Sequence, residues 1–428
     1  MKVLVVGGGG REHALCWKLK QSPLLTKLYI APGNAGTTAL AEPVTVPLNS
    51  VGALALWAVE NKIDLTIVGP EAPLAEGIVD IFTEHGLRIF GPTKAAAQLE
   101  ASKAFSKEIM LKAGVRTPAG EVFTDFEKAK AHVKERGAPI VVKAVGLAAG
   151  KGVVVAETEA EALEALESFM VGGRFGEASQ SVVLEQKIEG KEASVMVIVD
   201  GNAVLPLVVS QDYKRLKNED LGPNTGGMGS ISPTPVLGDL RLENLVSDIF
   251  IPVIRELRNR EIVYRGFLYA GVMVDAAGQV NVIEFNCRLG DPETQVLMRR
   301  LKSDLLEVIN ASVDNSLSTV DLQWRKDAAA CVVVTSPGYP DSVQDGQPIR
   351  GLPPGNDQQL DADVVVFHSG TAADSENGEI VRSKGGRVLS ITALGATVGA
   401  AVAKVYKQIE SISFEGMHFR NDIGSGAD

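Results

Sequence analysis

The stretch Val282-Ile283-Glu284-Phe285-Asn286-Cys287-Arg288 carries two oxygen-donor side chains two residues apart. Side chains alternate along a strand, so Glu284 and Asn286 are expected on one face and Ile283 and Phe285 on the other. A carboxylate and an amide oxygen without His or Cys partners suit Mg²⁺ shared with substrate phosphates. Arg288 and the acidic turn Gly290-Asp291-Pro292-Glu293 follow at once. A polar face on an edge strand would read the same way.

A second candidate lies in Gly146-Leu147-Ala148-Ala149-Gly150-Lys151-Gly152, between the β-rich runs Ile140–Ala144 and Val153–Ala156. It is not a Walker A loop, because its glycines are too close, Gly152 replaces Ser or Thr, and a strand follows. A glycine hairpin can still fold over a polyphosphate, its amides donating to phosphate oxygens, with Lys143 as a point charge on the α/β-phosphates. A plain glycine turn beside a solvated lysine is the alternative.

Two weaker signals accompany these. Residues 182–192 run from a strand into a linker that could offer backbone groups to an adenine edge and an acid to ribose hydroxyls, although solvated acids would look alike. At the N-terminus, Gly7 and Gly9 fit a dinucleotide fingerprint, yet Glu12 takes its third position and Pro32-Gly33-Asn34 stands where a ribose-binding acid is wanted. NAD is therefore disfavoured. Exposed backbone N–H groups at a helix start, with Arg11, suit a single phosphate instead, and a structural turn remains the alternative. The loop over residues 210–233, containing Asp212, Lys214 and Gly222-Pro223-Asn224-Thr225-Gly226-Gly227-Met228-Gly229, mixes charges with glycines that permit close backbone approach.

The elements that must position these groups follow from hydrophobic periodicity. Apolar runs at residues 2–6, 27–30, 65–68 and 88–90 each end in Gly or Pro and alternate with helical stretches, which implies a parallel sheet with its ligand site at the strands' C-terminal ends. Helices are expected over 101–114 and 125–136, and a small α+β lid over residues 140–185. Strands at 194–199 and 203–209, a helix near 242–258 and a hairpin over 266–285 follow. β-rich runs at 329–335, 364–367 and 387–392, with an amphipathic helix at 398–409, form a C-terminal α+β unit.

Composition bounds the function. The chain has 428 residues, which suggests about three domains. It is 45% hydrophobic and 22% charged, as globular proteins are. With 42 Lys+Arg against 53 Asp+Glu, a net charge of −11 disfavours nucleic acid and anionic membranes as partners. No long apolar run or signal-like leader is present, so a cytoplasmic protein is expected. Cys16, Cys287 and Cys331 share no metal-site spacing, the five histidines form no zinc pattern, and no nucleophile–histidine constellation stands out.

The order of these motifs resembles the ATP-grasp ligases, in which two α+β subdomains close on ATP and magnesium. Within them, Gly8-Gly9-Gly10-Arg11-Glu12-His13-Ala14, Ala31-Pro32-Gly33-Asn34-Ala35-Gly36, Val68-Gly69-Pro70-Glu71-Ala72-Pro73-Leu74, the glycine hairpin, Gly222 to Gly229 and Glu284 to Glu293 resemble the glycinamide ribonucleotide synthetase family. The resemblance covers essentially the whole chain. It implies an α/β plus α+β fold: an N-terminal parallel, Rossmann-like α/β domain (1–100), an ATP-grasp core and a C-terminal α+β domain (323–428). The core would comprise a large subdomain (101–122 and 191–322) and a lid (123–190).

The implied reaction joins glycine to 5-phosphoribosylamine through glycyl phosphate, giving glycinamide ribonucleotide, ADP and phosphate in de novo purine biosynthesis. ATP is the co-substrate and Mg²⁺ or Mn²⁺ the metal. By the same resemblance, Lys103 and Lys143 would bind phosphates under Gly150, Lys151 and Gly152, while Glu185 and Ile188 would meet adenine and Glu192 the ribose. Glu284 and Asn286 would hold the metal. Arg288 would stabilise the acyl-phosphate end, with Asp212 and Lys214 orienting glycine or the ribosylamine. Gly9, Gly10, Arg11, Pro32, Gly33, Asn34, Gly69, Pro70, Glu71 and Asp291 would hold the phosphoribosyl group. The implied partners are these small molecules, with transient contact to the upstream purine-pathway enzyme. The family usually reads Lys-Ala-Asp-Gly where this chain has Lys143-Ala144-Val145-Gly146, so Val145→Asp is expected to change ATP affinity more than turnover. Another ATP-grasp ligase or carboxylase of the purine pathway is the near alternative. A silent nucleotide-binding regulator would be expected to lack a metal ligand or the lid lysine.

Overall fold

The computed structural model describes all residues except 48–49, 149–150, 239, 353–362, 375–377, 379 and 428. Its first sheet consists of parallel strands in the order Glu42–Pro43, Lys27–Pro32, Lys2–Gly7, Leu65–Val68 and Ile89–Phe90. Its central strands are continuous apolar runs because helices cover both faces. The topological switch falls beside Lys2–Gly7, where the chain leaves for Lys27–Pro32 on one side and Leu65–Val68 on the other. The glycine turns at the C-terminal ends of these strands thus converge.

The lid is an antiparallel sheet in the order Gly120–Phe123, Val182–Gln186, Ile140–Ala144 and Val153–Ala156. It has its own core, where Ala129, Val133, Val142, Leu166, Phe169 and Leu184 are buried under the helices Phe126–Arg136 and Glu159–Leu166. The opposite wall is a second antiparallel sheet, Val204–Pro206, Lys191–Asp200, Arg265–Val274 and Val280–Asn286. Its core is continuous with the N-terminal domain through residues such as Val195, Leu268 and Phe285.

The segment expected to be one long loop departs from expectation. It contains the short strands Gln211–Asp212, Arg215–Lys217, Leu221–Asn224 and Gly229–Ser232. The first and last join the C-terminal sheet, whose order is Gln211–Asp212, Gly229–Ser232, Ala328–Thr335, Arg387–Gly395 and Val364–His368. Strands this short carry no readable alternation; the distant Ala328–Thr335 holds Gly229–Ser232, Gln211–Asp212 pairs in turn on Gly229–Ser232, and the middle two pair with each other. The helix Val398–Ile409 packs on this sheet, as does Glu293–Arg300, which also meets the helix Gly10–Leu19. Every residue of Glu293–Arg300 is buried, so the N-terminal and C-terminal domains are pinned across it. Among the described residues, no helix is long and apolar enough to cross a membrane.

Candidate active site

A cleft of about 620 Å³ runs between the lid, the second sheet and the edges of the terminal domains. One end is built on the helix Lys103–Lys112, which Ser102 starts by accepting the Phe105 N–H at 3.2 Å. Lys103 and Lys107 are one turn apart and share a face. Lys103 Nζ donates to the Gly146 carbonyl at 3.2 Å, and its backbone N–H to the Val145 carbonyl at 2.8 Å. This ties the helix start to the glycine hairpin. Lys107 Nζ lies 2.5 Å from Glu185 Oε1 and donates to Thr117 Oγ1 and the Pro118 carbonyl. Glu185 Oε2 meets Lys143 Nζ at 2.6 Å, and Lys143 also donates to the Ile283 carbonyl. Met110, Val141, Val155, Ile188 and Met273 supply apolar walls, so this end offers cations beside a slot for a planar ring.

The middle of the cleft is made by the strand Val280–Asn286. A bulge opposite Gly271 and Val272 leaves Ile283 as an extra residue. Ile283 therefore lines the cleft with Glu284 and Asn286 instead of packing away, while Phe285 enters the core. Lys214 Nζ lies 2.9 Å from Glu192 Oε2 and 3.4 Å from Glu284 Oε1. Burial acts to raise the Glu284 pKa, but Lys214, Lys143, Lys103 and Arg288 outweigh it and hold the carboxyl at about 2. The Asn286 amide nitrogen is buried with no partner, an orphan polar end beside an ionised carboxylate. Hard oxygen donors few in number fit Mg²⁺ that completes its shell with phosphates and water. Among the described residues no group of three His, Cys, Asp or Glu could cage a metal alone.

The far end collects paired charges. Arg288 reaches Glu71 Oε2 at 3.1 Å and Glu100 Oε1 at 2.6 Å, and Glu100 Oε2 accepts from the Cys287 N–H and Sγ. Burial opposes ionisation of Glu71, yet Arg288 and Arg11 keep its carboxyl at about 2. Arg11 pairs with Glu12 at 2.6 Å and donates to the Leu289 carbonyl. Asp291 meets Arg387 at 3.0 Å and Gln295 at 2.8 Å. Asp212 Oδ1 is buried without a partner, and Glu293 accepts from Ser194.

Comparison with known proteins agrees with this geometry. Family models for phosphoribosylglycinamide synthetase match the chain in three parts: the N domain over residues 1–100, the ATP-grasp (A) domain over 101–294 and the C domain over 329–426. A curated phosphoribosylamine–glycine ligase from Vibrio parahaemolyticus serotype O3:K6 is 48% identical over 427 residues, covering 99% of this chain and 98% of that one. One from Salmonella typhimurium is 48% identical over 429 residues, with coverage of 99% and 98%. The chain belongs to the phosphoribosylamine–glycine ligase family. A crystal structure of phosphoribosylamine–glycine ligase from Thermotoga maritima superposes with a TM-score of 0.85 at 30% identity, covering 99% of this chain and 100% of that one. The biotin carboxylase domain of a 2-oxoglutarate carboxylase from Hydrogenobacter thermophilus shares the fold, with a TM-score of 0.72 at 20% identity over 97% and 91% of the two chains. The α/β plus α+β architecture, the ATP-grasp core and the ligase class expected from sequence are all present.

In this ligase the cleft brings together Lys103, Lys143, Gly152, Glu185, Ile188, Glu192, Asp212, Lys214, Glu284, Asn286, Arg288 and Asp291, with Arg11 and Glu71 from the N-terminal domain. Gly150 lies outside the described residues. Lys151 does not line the cleft; its Nζ donates to the Pro340 carbonyl at 2.8 Å. Gly9, Gly10, Pro32, Gly33, Asn34, Gly69 and Pro70 also stand outside the lining. Asn34 is committed to the fold: its amide donates to the Gly8 and His368 carbonyls, and its oxygen accepts from Gly36 and Thr37. Gly69 lies where a Cβ would come 2.0 Å from Glu12 Oε1. Gly33 holds φ +75, a left-handed turn that glycine adopts without strain. These turns place Arg11 and Glu71. Residues not foreseen from sequence are Lys107, Glu100 and Arg387, while Glu293, read there only as part of the acidic turn after Arg288, also lines the cleft. The one-turn spacing from Lys103 points to Lys107; the others depend on contacts between distant segments.

Proposed function

We propose that the ligase joins glycine to 5-phosphoribosylamine, forming glycinamide ribonucleotide, ADP and phosphate by way of glycyl phosphate. The observation that carries this reading is one cleft with buried lysines and an apolar slot at one end, Glu284 and Asn286 in the middle, and Arg288, Asp212 and Asp291 at the other. A glycine carboxylate oxygen attacks the γ-phosphorus and ADP leaves. The ribosylamine nitrogen then attacks the acyl carbon, phosphate leaves, and the nitrogen gives up a proton.

Each residue acts on position or charge, since phosphoryl transfer needs little covalent help from protein. Lys103 and Lys143 hold the phosphates beside Gly152 of the glycine hairpin; Glu185, Ile188 and Glu192 receive the nucleoside. Glu284 and Asn286 would hold Mg²⁺ or Mn²⁺, whose charge when bound offsets that on the phosphate oxygens. Arg288, braced by Glu71 and Glu100, faces the acyl phosphate. Asp212 and Lys214 orient the acceptors, and Arg11 and Asp291 hold the phosphoribosyl group above the N-terminal glycine turns. The same reading carries a cytoplasmic setting and transient contact with the enzyme that supplies the amine.

The test is ADP release with Mg²⁺, ATP and glycine, with and without phosphoribosylamine generated in place from ribose 5-phosphate and ammonia. ADP that requires both acceptors, with glycinamide ribonucleotide seen by mass, is expected. Mg·ATP binding without turnover would overturn the acceptor assignment.

A further inference from the structure

Arg420 is 1% exposed and stands outside the cleft lining, yet its guanidinium is engaged on every side. Nε and Nη2 donate to the two oxygens of Asp422 at 2.8 and 2.7 Å. Nη1 donates to Asp220 Oδ1 at 2.7 Å and to the Arg215 carbonyl at 3.1 Å, and the guanidinium lies over the Tyr213 ring, 5.2 Å from its centroid. A planar fork satisfied in this way fixes geometry as well as charge.

The object it grips is the hairpin of the strands Arg215–Lys217 and Leu221–Asn224. The turn between them places Glu219 at φ 58 and Asp220 at φ 51, left-handed conformations that residues other than glycine resist. The C-terminal tail holds this turn: Asp422 Oδ2 accepts the Glu219 N–H at 2.8 Å, and Asn218 Oδ1 accepts the Asn421 N–H at 2.9 Å. The tail is itself seated on the helix Val398–Ile409, where the Tyr406 hydroxyl donates to the Arg420 carbonyl at 2.9 Å and accepts the Ile423 N–H at 3.2 Å.

The other end of the hairpin is cleft wall, lined by Lys214, Arg215, Asn224, Thr225 and Gly226. The Lys214 carbonyl accepts both the N–H and the hydroxyl of Thr225 at 2.8 Å, which ties the two arms together. The Arg215 carbonyl held by Arg420 is one residue from Lys214, whose Nζ meets Glu192 and Glu284. Resting on the ligase reading above, we propose that Arg420 is a positioning residue, which from outside the cleft sets the hairpin so that Lys214 and Arg215 stand where the acceptor substrates are met. The cluster of Lys107, Lys143 and Glu185 is built on the helix Lys103–Lys112 and the lid, so loss of the grip falls on the acceptors and spares the nucleotide.

The test compares full-length wild type with Arg420→Lys, which keeps the charge and loses the fork, and with Asp220→Asn, whose side chain is 68% exposed. In ligand-free protein, amide hydrogen exchange in Arg215–Lys217 and Leu221–Asn224 is expected to accelerate about tenfold in Arg420→Lys and about threefold in Asp220→Asn, with Ala328–Thr335 unchanged. The KM for glycine or for phosphoribosylamine is expected to rise by the same factors, while the KM for ATP stays within about twofold. A purely structural loss would lower the amount of active enzyme, and so turnover with every substrate, and leave each KM in place. Hairpin exchange at the wild-type rate, acceptor KM values unchanged, or an ATP KM that rises as far as theirs overturns the proposal; should Arg420→Lys fail to fold, Asp220→Asn decides it by the same readings. Wild type without turnover sinks the ligase reading alone, and the exchange rates then judge whether Arg420 holds the hairpin.

Discussion

Arg387 Nη2 lies 3.0 Å from Asp291 Oδ2, and this pair carries the C-terminal sheet into a cleft whose other lining residues run from Arg11 to Glu293. Arg387 also donates to the carbonyls of Gly226 and Asp291. Burial tends to raise the Asp291 pKa, but Arg387 and Arg11 bring it below the ordinary value. Arg387→Ala removes the larger of those attractions, so the Asp291 pKa rises and the acid limb of kcat/KM for phosphoribosylamine moves to higher pH. A loss of about 100-fold at neutral pH is expected, roughly 2.7 kcal/mol of transition-state stabilisation. Arg387→Lys should recover part of it. A pH–rate profile identical to wild type would mean the C-terminal domain contributes packing alone.

Glu185 answers two ammonium groups with one carboxylate, and all three side chains are 4–6% exposed. Removing one member of a buried charge cluster strands the rest, at a cost of about 3–5 kcal/mol. Glu185→Ala should therefore lower the thermal midpoint by several degrees. Mg·ATP should restore more stability to the variant than it adds to wild type, because phosphate oxygens give Lys107 and Lys143 a new counter-charge. Thermal melts with and without nucleotide decide it; equal increments in the two proteins would argue that these lysines do not meet phosphates.

The legible parts of the molecule are those whose cause is local. Ile140–Ala144 and Val153–Ala156 announce themselves as apolar β-branched runs around a glycine turn, and Glu284 with Asn286 follows from strand alternation. The alternation fails at one residue, Ile283, because a bulge is set by pairing with Gly271 and Val272. Gly229–Ser232 is a strand by virtue of Ala328–Thr335, far along the chain, and Gln211–Asp212 pairs in turn on Gly229–Ser232. Asn34 has the chemistry of a ligand-binding residue, and only the position of the His368 carbonyl reveals that its hydrogen bonds are already used. Arg387 reaches the cleft for the same non-local reason.

Glu71 and Glu284 are both held at about 2. A carboxyl whose folded pKa is depressed stabilises the native state fully above its unfolded value, and that contribution is lost as pH falls through the folded one. Stability should therefore decline between about pH 4.5 and pH 2. Glu71→Gln and Glu284→Gln should each flatten this decline in thermal midpoints recorded from pH 2 to 6. Glu284→Gln should also raise the Mg²⁺ concentration needed for activity by about tenfold or more, as loss of a charged ligand would. An unflattened decline in both variants would place the acid sensitivity elsewhere.

Lys151, at the foot of the lid strand Val153–Ala156, donates from Nζ to the Pro340 carbonyl at 2.8 Å. The adjoining Tyr339 hydroxyl accepts the Gly226 N–H at 3.0 Å, so one C-terminal loop touches both the lid and the glycine-rich segment beside Arg387. A hydrogen bond of this kind contributes about 0.5–1.5 kcal/mol net. Its loss in Lys151→Ala should let the lid open between about twofold and tenfold more often. Amide hydrogen exchange in Val153–Ala156 should accelerate by that factor, with Ala328–Thr335 in the C-terminal core unchanged, and the KM for ATP should rise by no more than the same factor. Exchange in the lid that stays at the wild-type rate would show that the nucleotide, and not the C-terminal loop, is what holds the lid down.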